Sequence, residues 1–183
     1  MQPNKKEQFL LFYEQFKSEL SSYCRALMLN EDDAKDLMSD TVLLAFERFE
    51  TIRDMQKFKY FLFGIASRLF RKKIRRKKII AFVGLENADK KETKEKTDDR
   101  ASLSLLYRSI AQLKEQEAEA IVLFELSGCT LQEVSEIMNI NLNTAKTHVY
   151  RAKKHLEQIL RSDKSLLDNA LNLNVLNTKT ALS

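Results

Sequence analysis

Glycine and proline interrupt this chain almost nowhere: three of the first and one of the second in 183 residues. Both residues punctuate regular structure. No segment keeps the period-two alternation of a half-buried strand, whereas apolar residues recur again and again in steps of three and four. The fold class that follows is all-α: two small helical domains joined by a flexible linker, the C-terminal one a helix-turn-helix.

Thr130 to Leu156, TLQEVSEIMNINLNTAKTHVYRAKKHL, is the most informative stretch. Leu131, Val134, Ile137 and Met138 form the apolar stripe of one helix, and Leu142, Ala145, Val149, Ala152 and Leu156 that of a second. Thr130 with Glu133 fits a capping box. Gly128 is suited to end the preceding helix in a left-handed conformation. In the turn Asn139-Ile140-Asn141, Asn tolerates positive φ, Asn141 is placed to cap the second helix, and Ile140 plugs the angle. The second helix leaves Thr144, Lys146, Thr147, His148, Arg151 and Lys154 away from its stripe, with Lys153 at the side. That is the surface of a recognition helix for a DNA major groove. An ordinary helical hairpin with a solvated basic face has the same pattern.

Upstream, Phe9, Phe12, Tyr13, Phe16, Leu20, Tyr23 and Leu27 mark a first amphipathic helix. A second starts at Asn30, with Ala34, Leu37, Met38, Thr41, Leu44 and Ala45 inward and Glu31, Asp32, Asp33, Asp36 and Asp40 outward. The helix dipole accounts for acids in the first turn. Asp36 and Asp40 lie beyond it, and either docking of a basic partner or plain solvation explains them. After a break at residues 51–57, Phe58 to Lys78 sets aromatic rings beside the seven cations of Arg71 to Lys78. Phe58, Phe61, Leu62, Ile65 and Leu69 make one stripe, and Tyr60, Phe63 and Phe70 fall off it. Off-stripe rings beside a basic run suit stacking on unpaired bases and phosphate contact. A second packing face with a solvated helix end also suits them.

Residues 84–102 carry mixed charge and almost no large apolar group, so they cannot offset their ordering entropy and read as a linker. Nineteen extended residues reach at most ~65 Å. Leu103 to Leu126 resumes helical periodicity, and residues 164–183 carry no readable function. The expected units are therefore 1–83, the linker 84–102, 103–163 and the tail.

The net charge of +5 and pI near 9.1 suggest polyanions only mildly. Cys24 and Cys129 match no metal spacing and read as buried thiols. His148 and His155 lack further ligands, so no metal or other cofactor is expected. Neither a nucleophile with its base nor a Gly-rich phosphate loop is evident, which argues against an enzyme. The N-terminus lacks the apolar core of a signal peptide and no run is long enough for a membrane span, so a cytoplasmic protein is expected.

Three segments resemble, in order, the motifs of bacterial RNA polymerase sigma factors of the extracytoplasmic-function group. Asp33-Ala34-Lys35-Asp36-Leu37 is similar to the family's D-A-E-D-L. Phe58 to Ala66 is similar to F-R-A-W-L-F-R-I-A, and Gly128 to Leu156 to the family's helix-turn-helix. The resemblance covers residues 8 to 160. It departs at Phe61 (often Trp), Ser39 (often Gln), Arg68 (often Asn) and the loop 53–57, which lacks the usual Pro and Gly. It implies a subunit that binds core RNA polymerase through Asp33, Asp36, Leu37 and Asp40 and directs promoter-specific initiation. The recognition helix would read the upstream (minus thirty-five) element. Arg53, Lys57, Tyr60, Phe63, Arg68, Arg71, Lys72, Arg75 and Arg76 would meet the downstream (minus ten) element as it melts. An anti-sigma factor is an implied partner. The competing reading is a stand-alone helix-turn-helix regulator whose N-terminal part dimerises or senses a signal.

Overall fold

The computed structural model describes residues 4–28, 30–82 and 106–162. The expected linker 84–102 and tail 164–183 lie outside the described residues. Among the described residues the chain is helical throughout, with turns but no strands.

The N-terminal half is a bundle of α1 (Lys5–Leu27), α2 (Glu31–Glu47) and α3 (Phe58–Phe82). Each start is written in the sequence. Asn4 caps α1 in a full capping box with Glu7, and the Asn30 side chain accepts from the backbone N–H of Asp33. Two short 3-10 turns, Phe49–Thr51 and Met55–Lys57, carry the chain from α2 to α3. Phe58 sits at the centre of an aromatic cluster, with the rings of Phe9, Phe12, Phe16, Phe49 and Phe61 all around it. Such edge and tilted pairs add to the burial of apolar area.

The C-terminal half comprises α4 (106–111), α5 (Glu115–Ile121), α6 (Leu131–Met138) and α7 (Leu142–Ser162). The continuous periodicity expected over Leu103 to Leu126 is broken at 112–114, where Gln112 and Leu113 close tight turns on Ser109 and Ile110. Lys114 takes an extended conformation, and α5 starts afresh. Neither Gly nor Pro signals that break. Past α5 the backbone widens into a π turn over Val122–Leu126. Gly128 then adopts φ +61° and Thr130 and Glu133 form the expected capping box. Asn139 takes the left-handed conformation at φ 54°, and Asn141 Oδ1 accepts from the backbone N–H of Thr144 at 2.8 Å. Ala145, Val149, Ala152 and Leu156 of α7 are all buried, as the stripe requires.

The two halves touch. α6 lies on α3, and the π turn lies against α1. α3 buries a wider arc than one stripe: Phe63, against the Tyr23 ring of α1, and Phe70, both expected outside the stripe, are buried together with Leu62, Ile65, Ala66 and Ser67, the last of which meets Glu119 of the C-terminal half. Phe61 and Leu69, expected within it, stay only half-buried. α3 is covered by α1 and α2 on one side and by the C-terminal half on another.

Candidate nucleic-acid interface

α7 presents an outward face. Lys146, Thr147, Arg151 and Lys154 are exposed there, opposite the buried stripe. Asn143 and Tyr150 share that face, and Tyr150 is 68% exposed. Neither was expected there, although their spacing of three and four from Thr147 was the available signal. Three expected contacts differ. Thr144 is half-buried, and its hydroxyl donates to Asn141 Oδ1 at 2.9 Å, so it serves the helix cap. His148 is half-buried with Nδ1 enclosed and unpartnered in the described structure. Burial, and to a lesser degree the Arg151 charge, hold its pKa below the usual imidazole value, against the opposing pull of Glu117. Lys153 folds back: its ammonium lies 2.7 Å from Glu125 and 5.2 Å over the Phe124 ring. Its long stem reaches the neighbouring π turn more readily than it reaches outward.

A second feature lies between the halves. A cleft of about 790 Å³ is lined by Ile52, Arg53, Asp54, Lys57, Tyr60, Phe61, Gly64, Arg68 and Arg71, and on its far side by Glu136, Ile137 and Asn139. Five of the residues expected to meet the downstream element, Arg53, Lys57, Tyr60, Arg68 and Arg71, thus line one cavity. The 3-10 turns bring Arg53 and Lys57 over the start of α3, and Tyr60, Arg68 and Arg71 follow on the helix. Four cations and two accessible aromatic edges suit a phosphate chain with an unstacked base. Phe63 is not among the lining residues. Its ring is wholly buried 5.5 Å from that of Tyr23, so in this conformation it is a core residue and not a stacking platform. Arg71 is committed inward as well, donating to the Met138 carbonyl at 2.8 Å and to Ser67 Oγ at 2.9 Å.

Farther along α3, the cations divide. Lys73 faces Asp36 at 3.7 Å, and Lys77 and Lys78 pair with Asp33 and Glu115. Lys72, Arg75 and Arg76 form no ion pair among the described residues, and all three are exposed.

On α2, Asp36 and Asp40 are exposed, Asp33 is half-buried and Leu37 is fully buried. Leu37 is therefore a core residue. The spelling of a motif does not separate its inward from its outward residues, and Leu37 lies on the inward stripe with Ala34 and Thr41. Burial raises the Asp33 pKa, but hydrogen bonds from Lys77 and Asn30 and the charges of Lys77 and Lys73 outweigh it and leave the carboxyl below its ordinary value. Leu43, 60% exposed one turn beyond Asp40, is an apolar member of the same face that no sequence signal singled out.

Among the described residues no three His, Cys, Asp or Glu side chains converge as a metal site, and no helix is long and apolar enough to cross a membrane.

Comparison with known proteins accounts for both halves. Residues 12–79 match the family model of Sigma-70 region 2, and residues 103–156 that of Sigma-70, region 4. The chain is 25% identical over 159 residues to the ECF RNA polymerase sigma factor SigW of Bacillus subtilis, covering 80% of this chain and 85% of SigW. It is 28% identical over 137 residues to the RNA polymerase sigma factor SigV of the same organism, covering 74% and 81%. In fold it is similar to RpoE of Bartonella quintana, solved with the anti-sigma factor NepR, at a TM-score of 0.67 and 23% identity over 86% of this chain and 97% of that one. CnrH, solved with the cytosolic domain of CnrY, gives the same TM-score of 0.67 at 19% identity, over 87% and 91%. With both family regions in order along a two-part helical fold, the chain belongs to the sigma-70 family of RNA polymerase sigma factors, in its extracytoplasmic-function group.

Proposed function

We propose that this sigma factor divides promoter recognition between its two nucleic-acid surfaces. It directs promoter-specific initiation by binding core RNA polymerase and promoter DNA. The outward face of α7 enters the major groove of the upstream element, where Thr147 and Arg151 meet base edges and Lys146 and Lys154 grip the flanking phosphates. Asn143 and Tyr150 join that face. The cleft floored by α3 receives an unstacked base of the downstream element. Unstacking costs a few kcal/mol, and stacking with charge contact inside the cleft offsets it. Melting is thus driven by binding. The observation that carries the reading is the gathering of Arg53, Lys57, Tyr60 and Arg68 around one cavity, while a separate exposed face holds Lys146, Thr147, Arg151 and Lys154. Run-off transcription with core polymerase, with and without this chain, tests it. A transcript that does not depend on the chain would overturn the reading.

The face of α2 formed by Asp36, Asp40 and Leu43 docks on the polymerase, an apolar contact set among acids. Charge reversal at Asp36 and Asp40 together is expected to weaken co-purification with core polymerase while leaving helical content unchanged. Unaltered co-purification would remove the assignment. By analogy with the NepR-bound relative, an anti-sigma protein is the proposed regulator, and the cytoplasm the proposed place of action.

Lys72, Arg75 and Arg76 supply sequence-independent affinity. Removing one phosphate-binding cation from a complex with duplex DNA flattens the slope of log affinity against log salt by about 0.9. The triple Ala variant is expected to show a slope flatter by up to about 2.7 in a salt series. Lys73, Lys77 and Lys78, held by carboxylates, should contribute less, and a slope that ignores the triple change would refute the assignment.

A further inference from the structure

The contact between the halves has an ionisable group at its centre. Glu119 of α5 is 0% exposed. It crosses into the N-terminal bundle, where Oε1 accepts from Ser67 Oγ of α3 at 2.5 Å and from the Tyr23 hydroxyl of α1 at 3.4 Å. Oε2 is buried without a hydrogen bond, and its nearest cation, Arg71, stands 3.9 Å away at Nε. Arg71 spends its other nitrogens on Ser67 and on the Met138 carbonyl that ends α6. Around this centre, Lys59 donates to the Ser127 carbonyl and Tyr60 hydrogen-bonds Glu133 at the start of α6. These links hold α6, with Glu136, Ile137 and Asn139, across the mouth of the cleft. The outward face of α7 remains free.

We propose that Glu119 is a proton-dependent latch: protonated, it holds the C-terminal half closed over the downstream-element cleft, and its ionisation releases that half. An ionised carboxylate enclosed by a tyrosine, a serine and one distant guanidinium loses most of its hydration, a cost that vanishes when the halves separate and water reaches it. The other charges near it do not replace that hydration. Glu115 on α5 repels it, and on α7 the nearby His155 pairs with Glu117 at 2.7 Å. Burial raises the Glu119 pKa to about 7, and the Glu115 charge adds to this, against the opposing pull of Ser67, Arg71 and Tyr23. A pKa raised in the closed state works in one direction. The closed state has its full advantage at pH values below the ordinary carboxyl pKa and loses it as pH rises through about 7. Between the ordinary carboxyl pKa and that value the closed-to-open ratio falls by up to ~10-fold per pH unit.

The latch itself is independent of the assignment of the cleft, whereas its consequence for DNA rests on that assignment. Small-angle X-ray scattering on the full chain, from about pH 5.5 to about pH 8.5, tests the latch across the range in which the group titrates. The wild-type radius of gyration is expected to increase with pH towards neutrality. Glu119→Gln, which keeps an acceptor for Ser67 and cannot ionise, is expected to stay compact throughout, with unchanged far-ultraviolet circular dichroism at every pH. A wild-type radius that ignores pH overturns the proposal, and so does a Glu119→Gln chain that expands at the same pH as wild type. Binding of a single-stranded downstream oligonucleotide by fluorescence anisotropy separates the two readings. Opening accompanied by tighter binding in the wild type alone supports both. Opening without any gain in binding supports the latch and counts against the cleft as the downstream site.

Discussion

Arg151→Ala is expected to cost about 1–3 kcal/mol of affinity for the preferred upstream element and to relax selectivity at one base position. Arg151 is exposed on the outward face of α7 and forms no ion pair among the described residues, so its guanidinium is available for bidentate contact with a guanine. Lys154→Ala provides the contrast. It removes a flanking cation and should weaken all sequences alike, with a flatter salt dependence. Selection on randomised upstream elements separates the two effects. Even weakening by Arg151→Ala, with base preference intact, would make Arg151 a phosphate contact. Lys153→Ala should do less to DNA affinity than either, because Lys153 already serves Glu125 and Phe124. Its change should appear instead as a small loss of stability.

Phe58→Ala is expected to destabilise the N-terminal bundle by about 3–5 kcal/mol. The ring is 0% exposed. It lies 5.7 Å from Phe12, 5.9 Å from Phe9 and 6.0 Å from Phe49. Those rings come from α1 and from the turn after α2, so no single element can move to fill the space. The remaining cavity would be lined by aromatic faces that keep their positions because each also packs on another. Against a typical stability of about 5–15 kcal/mol, such a loss is a large fraction of the whole. Urea unfolding measures it. Phe58→Leu should lose much less, since most of the volume is kept. A loss below about 1 kcal/mol for Phe58→Ala would mean that the aromatic cluster collapses freely and is not the centre of this core.

The helix boundaries of the helix-turn-helix were legible because they rest on local chemistry. Thr130 and Glu133 cap α6, Gly128 and Asn139 adopt positive φ, and Asn141 caps α7. Each of these depends on residues at most four apart. The stripes of α6 and α7 were legible for the same reason, as was the exposed set Lys146, Thr147, Arg151 and Lys154. The break at 112–114 was not, since it is made without Gly or Pro, and of its three residues only Leu113 is buried.

Side chains that reach between elements escaped the sequence. A helical period says which residues share a face and leaves open how many neighbours that face meets. Phe63 and Phe70 fall outside the main stripe of α3, yet both are buried, Phe63 against the Tyr23 ring of α1. Lys153 and His148 look outward by period, but the π turn and the packing of α7 draw them in. Glu117 and Glu119 look like solvated acids in the first turns of a short helix. Their burial depends on His155, thirty-eight positions on, and on Ser67, fifty-two positions back. Local sequence thus determined where helices begin and end, which residues form their apolar stripes and which family the chain joins. The tertiary structure decided which charges are buried, which aromatics are core and which cations remain for nucleic acid. Desolvation and ion pairing act through space, on partners that the order of residues along the chain does not bring near.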